Sequence, residues 1–324
     1  MTGMSTYMVA DIGGTNARFA IATGSSSAGY KLEHIARYRN EDFEHLRDAA
    51  HAFLESWAGR KPDLACFAVA GPVSTGKVRL TNSTWRFCPK DLAAELGLDR
   101  LVPVNDFAAQ ARGALLVEEA DRVLLNPGKS VSGASHVVLG PGTGLGLGIL
   151  VPRGDDVVVI PTEGGHAGFA PRTEEEIEVG RFIADEYGFV SWERLLSGRG
   201  LVNIHRALSV LAGEPWPGRR PEDITSEALK DPSSLSRRAT DIFCAVLGAY
   251  AGDVAVLSGA RGGVHIGGGI APKIRTLIEE GDFLARFQRR GPMTHYVSAI
   301  PVHLILTDNA ALLGAAALAE KGSL

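Results

Sequence analysis

Asn105 and Asp106 are the pair of side chains best placed for catalysis in this sequence. They follow the apolar strand candidate Leu101–Val104 and precede a helix that the sequence predicts from Phe107. Catalytic groups often lie where a strand of an open α/β sheet ends and a helix begins. There the Asp106 carboxylate can accept a proton from a hydroxyl, and the Asn105 amide can hold a neighbouring oxygen. The alternative is that Asp106 only caps the helix.

A glycine turn near the N-terminus lies between two predicted strands, Tyr7–Asp11 and Arg18–Ala22. Paired glycines bring the backbone close to a ligand, and successive N–H groups can hold phosphate oxygens. A carboxylate at the strand end suggests Mg²⁺ between it and the phosphates, bound through water. The alternative is a hairpin turn with a capping Asp. The residues of this candidate phosphate site are Asp11, Gly13, Gly14, Thr15 and Asn16.

Glu163, His166 and Glu193 are candidates for binding vicinal hydroxyl groups. Glu163 and His166 lie on a loop with two glycines between them, and Glu193 begins a short predicted helix. Carboxylate and imidazole groups suit hydroxyls, which both donate and accept hydrogen bonds. The alternatives are a structural histidine in the loop and, for Glu193, an acidic residue that favours the start of a helix. A metal site would need more ligands close by.

Two further glycine turns follow predicted strands. The first could hold phosphates from a second side, and the second leads into a helix where backbone could lie against a nucleobase or ribose. Three such turns after strands exceed what packing requires, although each alone could be a tight turn. A P-loop-like stretch at 71–77 lacks the hydroxyl that would follow its lysine, and we interpret it as a surface turn. The two further turns contain Gly142, Thr143 and Gly144, and Gly267, Gly268 and Gly269.

Apolar runs and turn residues predict an α/β protein in two blocks. The second block begins near residue 118, and its strand–glycine turn–strand at 136–151 repeats the start of the first block, which suggests two related halves. The predicted helices are 43–57, 89–96, one from 107, 235–257 and a last one capped by Asp308. The remaining predicted strands are Lys31–Tyr38, Leu64–Ala70, Val78–Phe87, Val157–Ile160, Val264–Ile266 and His303–Leu306.

Composition and charge exclude several classes of protein. The chain has 324 residues, a formal net charge of −4 and no basic run longer than a pair of arginines, so nucleic-acid or membrane-surface binding is not expected. The uncharged stretch 130–152 is rich in glycine, which favours buried strands over a membrane span. Three separated cysteines and the lack of a secretion signal predict free thiols in a cytoplasmic protein.

Together these segments resemble the hexokinase-type sugar kinases of the actin-like ATPase superfamily, and the match is closest to the bacterial glucokinases of about this size. The phosphate segments resemble residues 11–15 and 140–144, the connecting segment 105–109 and the adenosine segment 267–269. The sugar-binding segments resemble 163–166 and 191–198, and further similarity covers 80–85 and 200–203. The related branch with a Cys-rich zinc-binding stretch has no counterpart here, so no structural zinc is predicted.

The resemblance implies ATP-dependent phosphorylation of the glucose 6-hydroxyl with Mg²⁺, in a cytoplasmic homodimer. It implies a two-domain actin-like ATPase (ribonuclease H-like) α/β fold with an inter-domain cleft. The smaller domain would comprise 1–115 and 307–324, and the larger one 116–306. Carried over, Asp106 is the general base, and the other hydroxyls are held by Asn105, Glu163, His166 and Glu193.

Three alternative functions stay open at this point. A kinase for another hexose or an amino sugar would use the same chemistry, since hydroxyl-binding residues do not name the epimer. A non-catalytic sugar-responsive regulator would need a DNA-binding module, and about six residues precede the first predicted strand. A nucleotide-driven filament subunit would leave the Glu163, His166 and Glu193 set without a role.

Overall fold

The structure is a computed structural model that describes residues 5–71, 73, 76–80, 84–154 and 156–321. Parts of the turn at 71–77 and of the segment 80–85 lie outside these residues. The chain forms two compact units, each described here by itself. The first unit comprises Met1–Glu118, Val157–Ile160 and Thr307–Leu324, and the second comprises Glu119–Asp156 and Pro161–Leu306.

The first unit contains a five-stranded sheet in the order β3-β2-β1-β4-β7. Strands β1, β2 and β3 pair antiparallel, whereas β4 is parallel to β1 and β7 is parallel to β4. A short antiparallel pair, β5 with β6, lies apart from this sheet. The strands are β1 (Ser5–Ile12), β2 (Asn16–Ser25), β3 (Gly29–Arg39), β4 (Leu64–Val69), β5 (Val78–Arg79), β6 (Arg86–Phe87) and β7 (Arg100–Asn105).

Helices cover both faces of this sheet, which explains the nearly continuous apolar runs of its central strands. The helices are α1 (Leu46–Glu55), α2 (Pro89–Leu96), α3 (Asp106–Ala114) and α11 (Ala310–Lys321). Met8 and Phe19 pack with Phe53 of α1 on one face. Val9, from the same strand as Met8, packs with Leu312 of α11 on the other face.

A second sheet has six strands in the order β11-β10-β9-β12-β13-β8. Its strands belong to the second unit, except that Val157–Ile160 of β11 are assigned to the first. Strand β10 is antiparallel to β9, while β12 is parallel to β9 and β13 is parallel to β12. The first five strands therefore have the same order as those of the first sheet, which agrees with the two related halves that the matching glycine turns suggest. The strands are β8 (Arg122–Asn126), β9 (His136–Pro141), β10 (Leu145–Arg153), β11 (Asp156–Thr162), β12 (Gly263–Ile266) and β13 (Val302–Ile305).

A helical layer packs on this second sheet around one long helix, α7. Its residues Phe243 and Leu247 are fully buried in a core that includes Leu139 of β9 and Val264 of β12. The helices of this unit are α4 (Glu174–Tyr187), α5 (Gly198–Leu211), α6 (Pro221–Lys230), α7 (Leu235–Ser258), α8 (Arg275–Glu280), α9 (Phe283–Gln288) and α10 (Thr294–Ser298).

Helix α7 is the one described helix that is long and apolar enough to cross a membrane. However, 78% of its most apolar 18-residue window is buried inside the protein. That burial is typical of a core helix, because lipid contact would require an apolar outer surface.

Two sequence predictions require correction. The segment Val78–Phe87 forms two short strands, β5 and β6, rather than one extended strand. Asp308 does not begin the last helix, because α11 starts at Ala310 and the backbone N–H of Leu313 donates to the carbonyl of Asn309. The Asp308 carboxylate instead forms an ion pair with Arg18.

Candidate functional site

Asp11 and Asn105 lie at the same edge of the first sheet. Ile12 of β1 is level with Val69 of β4, which is level with Asn105 of β7, and the three strands run parallel. The carboxyl ends of these strands therefore meet at one edge, where open α/β sheets place their ligands. The first glycine turn and the Asn105–Asp106 pair are both part of this edge.

Asn105, not Asp106, is the N-cap of α3. Its Oδ1 accepts hydrogen bonds of 3.0 Å from the backbone N–H groups of both Phe107 and Ala108. Asp106 Oδ1 accepts from the same Phe107 N–H at 2.8 Å. The backbone N–H of Asp106 also contacts its own carboxyl. Among the described residues, no other residue donates to Asp106 Oδ2, and the Asn105 amide nitrogen donates to none. Asn105 therefore holds the N-cap position, and Asp106 Oδ1 accepts a hydrogen bond at the same helix start. Asp106 Oδ2 and the Asn105 amide nitrogen are the atoms that a ligand could contact.

The carboxyl groups of Asp11 and Asp106 both have raised pKa values. Burial and then the charge of Asp106 raise the pKa of Asp11 to about 6, against the opposing effect of Arg18. Burial also raises the pKa of Asp106, although backbone hydrogen bonds partly offset this. Two desolvated acidic groups of this kind favour a nearby cation or a shared proton.

The first glycine turn is held by Asn40, which the sequence analysis did not identify. The Asn40 side-chain nitrogen donates to the Gly13 carbonyl and its backbone N–H donates to the Thr15 carbonyl, both at 2.9 Å. The Gly13 N–H donates to the Asn16 carbonyl at 2.9 Å, which closes the turn. Asn40 thus fixes the backbone that connects β1 with β2.

Arg18 is a second residue whose role was not predicted. Its guanidinium donates to the Asp308 carbonyl and to Asn309 Oδ1, each at 2.7 Å, and pairs with the Asp308 carboxylate at 3.1 Å. Arg18 is opposite Asp11 in the β1–β2 pair. It therefore connects the strand that carries Asp11 to the segment before α11, which lies about 290 positions later in the chain.

The second and third glycine turns lie against each other at the carboxyl ends of β9 and β12. The Gly267 N–H donates to the Leu139 carbonyl at 2.7 Å, and the Ile270 N–H donates to the Pro141 carbonyl at 3.2 Å. Gly268 has a φ of +79°, and a Cβ there would lie 2.5 Å from the Pro141 oxygen. The structure thus brings residues 142–144 and 267–269 together within the second unit.

The Glu193 side chain reaches the second glycine turn. Its Oε2 accepts a 2.9 Å hydrogen bond from the backbone N–H of Leu145, directly after that turn. At the other end of the same segment, the Gly198 N–H donates to the Gly142 carbonyl at 2.8 Å. The interpretation of Glu193 as no more than a helix-dipole residue therefore does not account for its contacts.

Glu163 and His166 lie on an exposed loop after β11. Their side chains are 92% and 61% exposed, and Glu163 Oε2 is 4.0 Å from His166 Nε2. The His166 backbone N–H donates to the Glu163 carbonyl at 3.0 Å, so one turn of 3₁₀ helix sets this spacing. The pair presents an acceptor and an imidazole side by side to solvent.

The loop that carries His166 pairs with the segment that carries Glu193. The Trp192 N–H donates to the Ala167 carbonyl at 3.0 Å, and Gly168 forms an antiparallel bridge with Ser191. Trp192 is buried beneath this bridge, with its ring centroid 4.9 Å from that of Tyr250. Both predicted hydroxyl-binding segments are thus hydrogen-bonded to each other, and the segment of Glu193 is also bonded to the second glycine turn.

The same strand order in two sheets, with a glycine turn after β1 in one and after β9 in the other, defines the actin-like ATPase fold. The chain belongs to the glucokinase family, whose family model matches residues 8–322. A glucokinase transfers a phosphoryl group from ATP to glucose.

Individual relatives agree with this assignment over nearly the whole chain. The glucokinase of Saccharophagus degradans is 40% identical over 318 residues, covering 98% of this chain and 99% of its own. The crystal structure of a glucokinase from an Antarctic psychrotroph superposes with a TM-score of 0.90 at 34% identity, covering 98% of this chain and 99% of that one. A ROK family glucokinase from Streptomyces griseus, in complex with glucose and AMPPNP, shares the fold at 20% identity, with a TM-score of 0.66 and coverage of 99% and 100%.

Proposed function

We propose that Asp106 is the general base with which this chain phosphorylates the 6-hydroxyl of D-glucose, giving glucose 6-phosphate and ADP. The observation that carries this proposal is the pattern of hydrogen bonds that Asn105 and Asp106 form at the start of α3. Asn105 Oδ1 caps the helix, and among the described residues no other residue donates to Asp106 Oδ2 at the strand end. The transfer of a phosphoryl group from ATP to glucose follows from membership of the glucokinase family.

In the proposed reaction, Asp106 accepts the proton of the 6-hydroxyl as its oxygen attacks the γ-phosphorus of ATP. The new oxygen–phosphorus bond forms while the bond to the β-phosphate oxygen breaks, and Asp106 later releases the proton to water. Positioning and charge neutralisation contribute most to phosphoryl transfer. A general base typically adds a rate factor of about 10²–10⁴.

The remaining sugar hydroxyls are assigned to Asn105, Glu163, His166 and Glu193. The Asn105 amide nitrogen can donate to a sugar oxygen while its Oδ1 stays on the helix. The Glu163 and His166 side chains are exposed. One carboxylate oxygen of Glu193 accepts from the Leu145 N–H, which leaves the other oxygen for a sugar hydroxyl. Each group can accept from or donate to a hydroxyl, which is how a site rejects sugars that lack one.

The three glycine turns are proposed to bind ATP. Residues 13–16 and 142–144 are assigned to the phosphates. The Gly13 and Gly142 N–H groups donate within their turns, to Asn16 and Gly144, so the N–H groups of the other turn residues would bind phosphate oxygens. Residues 267–269 offer flat backbone to the adenosine. Asp11 would hold Mg²⁺ through water, because its carboxyl and that of Asp106 repel each other and a cation relieves that repulsion. When bound, Mg²⁺ neutralises phosphate charge.

We also propose a cytoplasmic location and a homodimer. The described helix that could span a membrane is mostly buried, and the family members to which the chain is similar are enzymes named for a metabolic reaction. Size-exclusion chromatography with light scattering would test the dimer, since a mass near 34.3 kDa would contradict it.

The experiment that tests the proposed reaction is a coupled ADP-release assay with Mg²⁺-ATP and a panel of sugars. The panel contains glucose, mannose, fructose, galactose and N-acetylglucosamine. We expect selective turnover of glucose. Turnover of another sugar instead would keep the mechanism and change the substrate. Tight sugar binding without turnover of any sugar would contradict the proposal and support a sugar sensor.

A further inference from the structure

We propose that Glu193 is a positioning residue for the second glycine turn as well as a sugar ligand, so that glucose and ATP bind cooperatively. This inference rests on the proposed function, which assigns Glu193 to sugar and residues 142–144 to phosphate. It goes further because it makes a single carboxylate the physical link between the two substrates.

The link consists of hydrogen bonds at both ends of one short segment. Glu193 Oε2 accepts from Leu145 N–H at 2.9 Å, just after the turn, and Gly198 N–H donates to the Gly142 carbonyl at 2.8 Å, at its start. Between them, the Ser197 hydroxyl donates to the Glu193 carbonyl at 2.9 Å. The turn and the segment that carries Glu193 are therefore joined at both ends of the segment.

The turn is shaped to admit the Glu193 carboxylate. A Cβ added to Gly144 would lie 2.6 Å from Glu193 Oε2 and 3.4 Å from its Cδ. A Cβ added to Gly142 would have as its nearest neighbour the Gly269 nitrogen, at 3.9 Å. Neither glycine has a positive φ, so alanine is sterically allowed at both apart from these contacts. Glycine is therefore required at position 144 because the Glu193 carboxylate occupies the space that a side chain would fill.

This arrangement couples the two ligands. One carboxylate oxygen of Glu193 is fixed on the Leu145 N–H, and the other has no described partner and can accept from a sugar hydroxyl. A sugar that fixes the conformation of the Glu193 side chain thereby fixes the conformation of the turn. A phosphate bound to the turn in the same way fixes the Glu193 side chain. Thermodynamic linkage requires the effect to be equal in both directions.

Alanine at Gly144 and alanine at Gly142 form a matched pair for the test. Gly144→Ala displaces the Glu193 carboxylate, and we expect the KM values for glucose and for ATP both to rise, by about 5-fold or more. Gly142→Ala faces the third glycine turn, and we expect it to change the KM for ATP while leaving that for glucose within about 2-fold. In the wild type, AMPPNP should tighten glucose binding by about 5-fold or more, and Gly144→Ala should abolish most of this effect.

Hydrogen exchange at the Leu145 amide gives a readout that does not depend on activity. Glu193→Gln keeps an oxygen that can accept from Leu145 N–H, so the amide should stay protected, while Glu193→Ala should expose it. Equal exchange rates in the wild type and Glu193→Ala, or an unchanged glucose dissociation constant in Gly144→Ala, would overturn the inference. A wild type that protects Leu145 but does not phosphorylate glucose would instead overturn the proposed function.

Discussion

Gly113 of α3 and Gly314 of α11 face each other where the two helices cross. A Cβ on Gly113 would lie 1.7 Å from the Ala310 oxygen, and a Cβ on Gly314 would lie 1.8 Å from the Ala109 oxygen. The helix backbones therefore touch directly, a packing that only glycine permits at both positions. Because α3 begins at Asp106, this contact also determines where the proposed base lies.

Gly314→Ala should separate the helices and move α3. Overpacking of this kind costs about 1–3 kcal/mol in the free energy of unfolding. A displacement near 1 Å at a catalytic group can lower the rate by about 10²-fold, so we expect kcat to fall by about 10-fold or more. Urea unfolding and steady-state kinetics on the same preparation measure the two effects.

Gly180→Ala in α4 is the matched control. A Cβ there would find its nearest atom on the Phe169 ring at 3.7 Å, an ordinary contact. Alanine in a helix interior is more stable than glycine by about 0.5–1 kcal/mol, so this variant should be as stable as the wild type or more so, with unchanged kcat. Equal stability and kcat for Gly314→Ala and Gly180→Ala would contradict the role of the crossing.

Three buried or half-buried histidines on neighbouring strands of the second sheet predict acid sensitivity. His136 Nδ1 lies 3.3 Å from His265 Nε2, and the His265 and His303 rings stack with centroids 5.5 Å apart. Burial lowers the pKa of all three, and the neighbouring imidazoles and Arg122 add to this at His265, whereas Glu119 opposes it at His303.

Since the pKa values are lowered on folding, the unfolded chain binds more protons at mildly acidic pH than the folded one. Stability is therefore fully present above the ordinary histidine pKa of about 6.5 and decreases as the pH falls below it. We expect the melting temperature to decrease between pH 7.5 and 5.5, and His265→Gln to reduce this dependence. The exposed His51 offers a control, and a slope in His265→Gln equal to that in His51→Gln would refute the assignment.

The pH dependence of catalysis follows from the burial of Asp106. A general base must be deprotonated, and burial raises the pKa of this carboxyl, so activity should be lost at a higher pH than for an ordinary aspartate of about 4. The measurement is kcat/KM for glucose from pH 4.5 to 8, with circular dichroism to confirm folding. The residual activity of Asp106→Asn should not show this decrease of kcat/KM at acidic pH. The same decrease in both proteins would show that another group causes it.

The repeated sheet and the three glycine turns were predictable because apolar runs and glycine clusters are local signals. The choice between Asn105 and Asp106 as helix cap was not, because the two residues are adjacent and both can cap. The contact of Glu193 with Leu145 joins positions 48 residues apart, and no local pattern indicates it. The same holds for Arg18, whose partner lies 290 residues away.

The most direct test of the central claim is the turnover of Asp106→Ala with glucose and Mg²⁺-ATP, together with its glucose dissociation constant by calorimetry. If Asp106 is the base, kcat should fall by about 10²-fold or more while glucose still binds through the remaining ligands. Asn105 continues to cap α3 in this variant, so the fold should be retained. Turnover close to that of the wild type would show that another group takes the proton from the 6-hydroxyl.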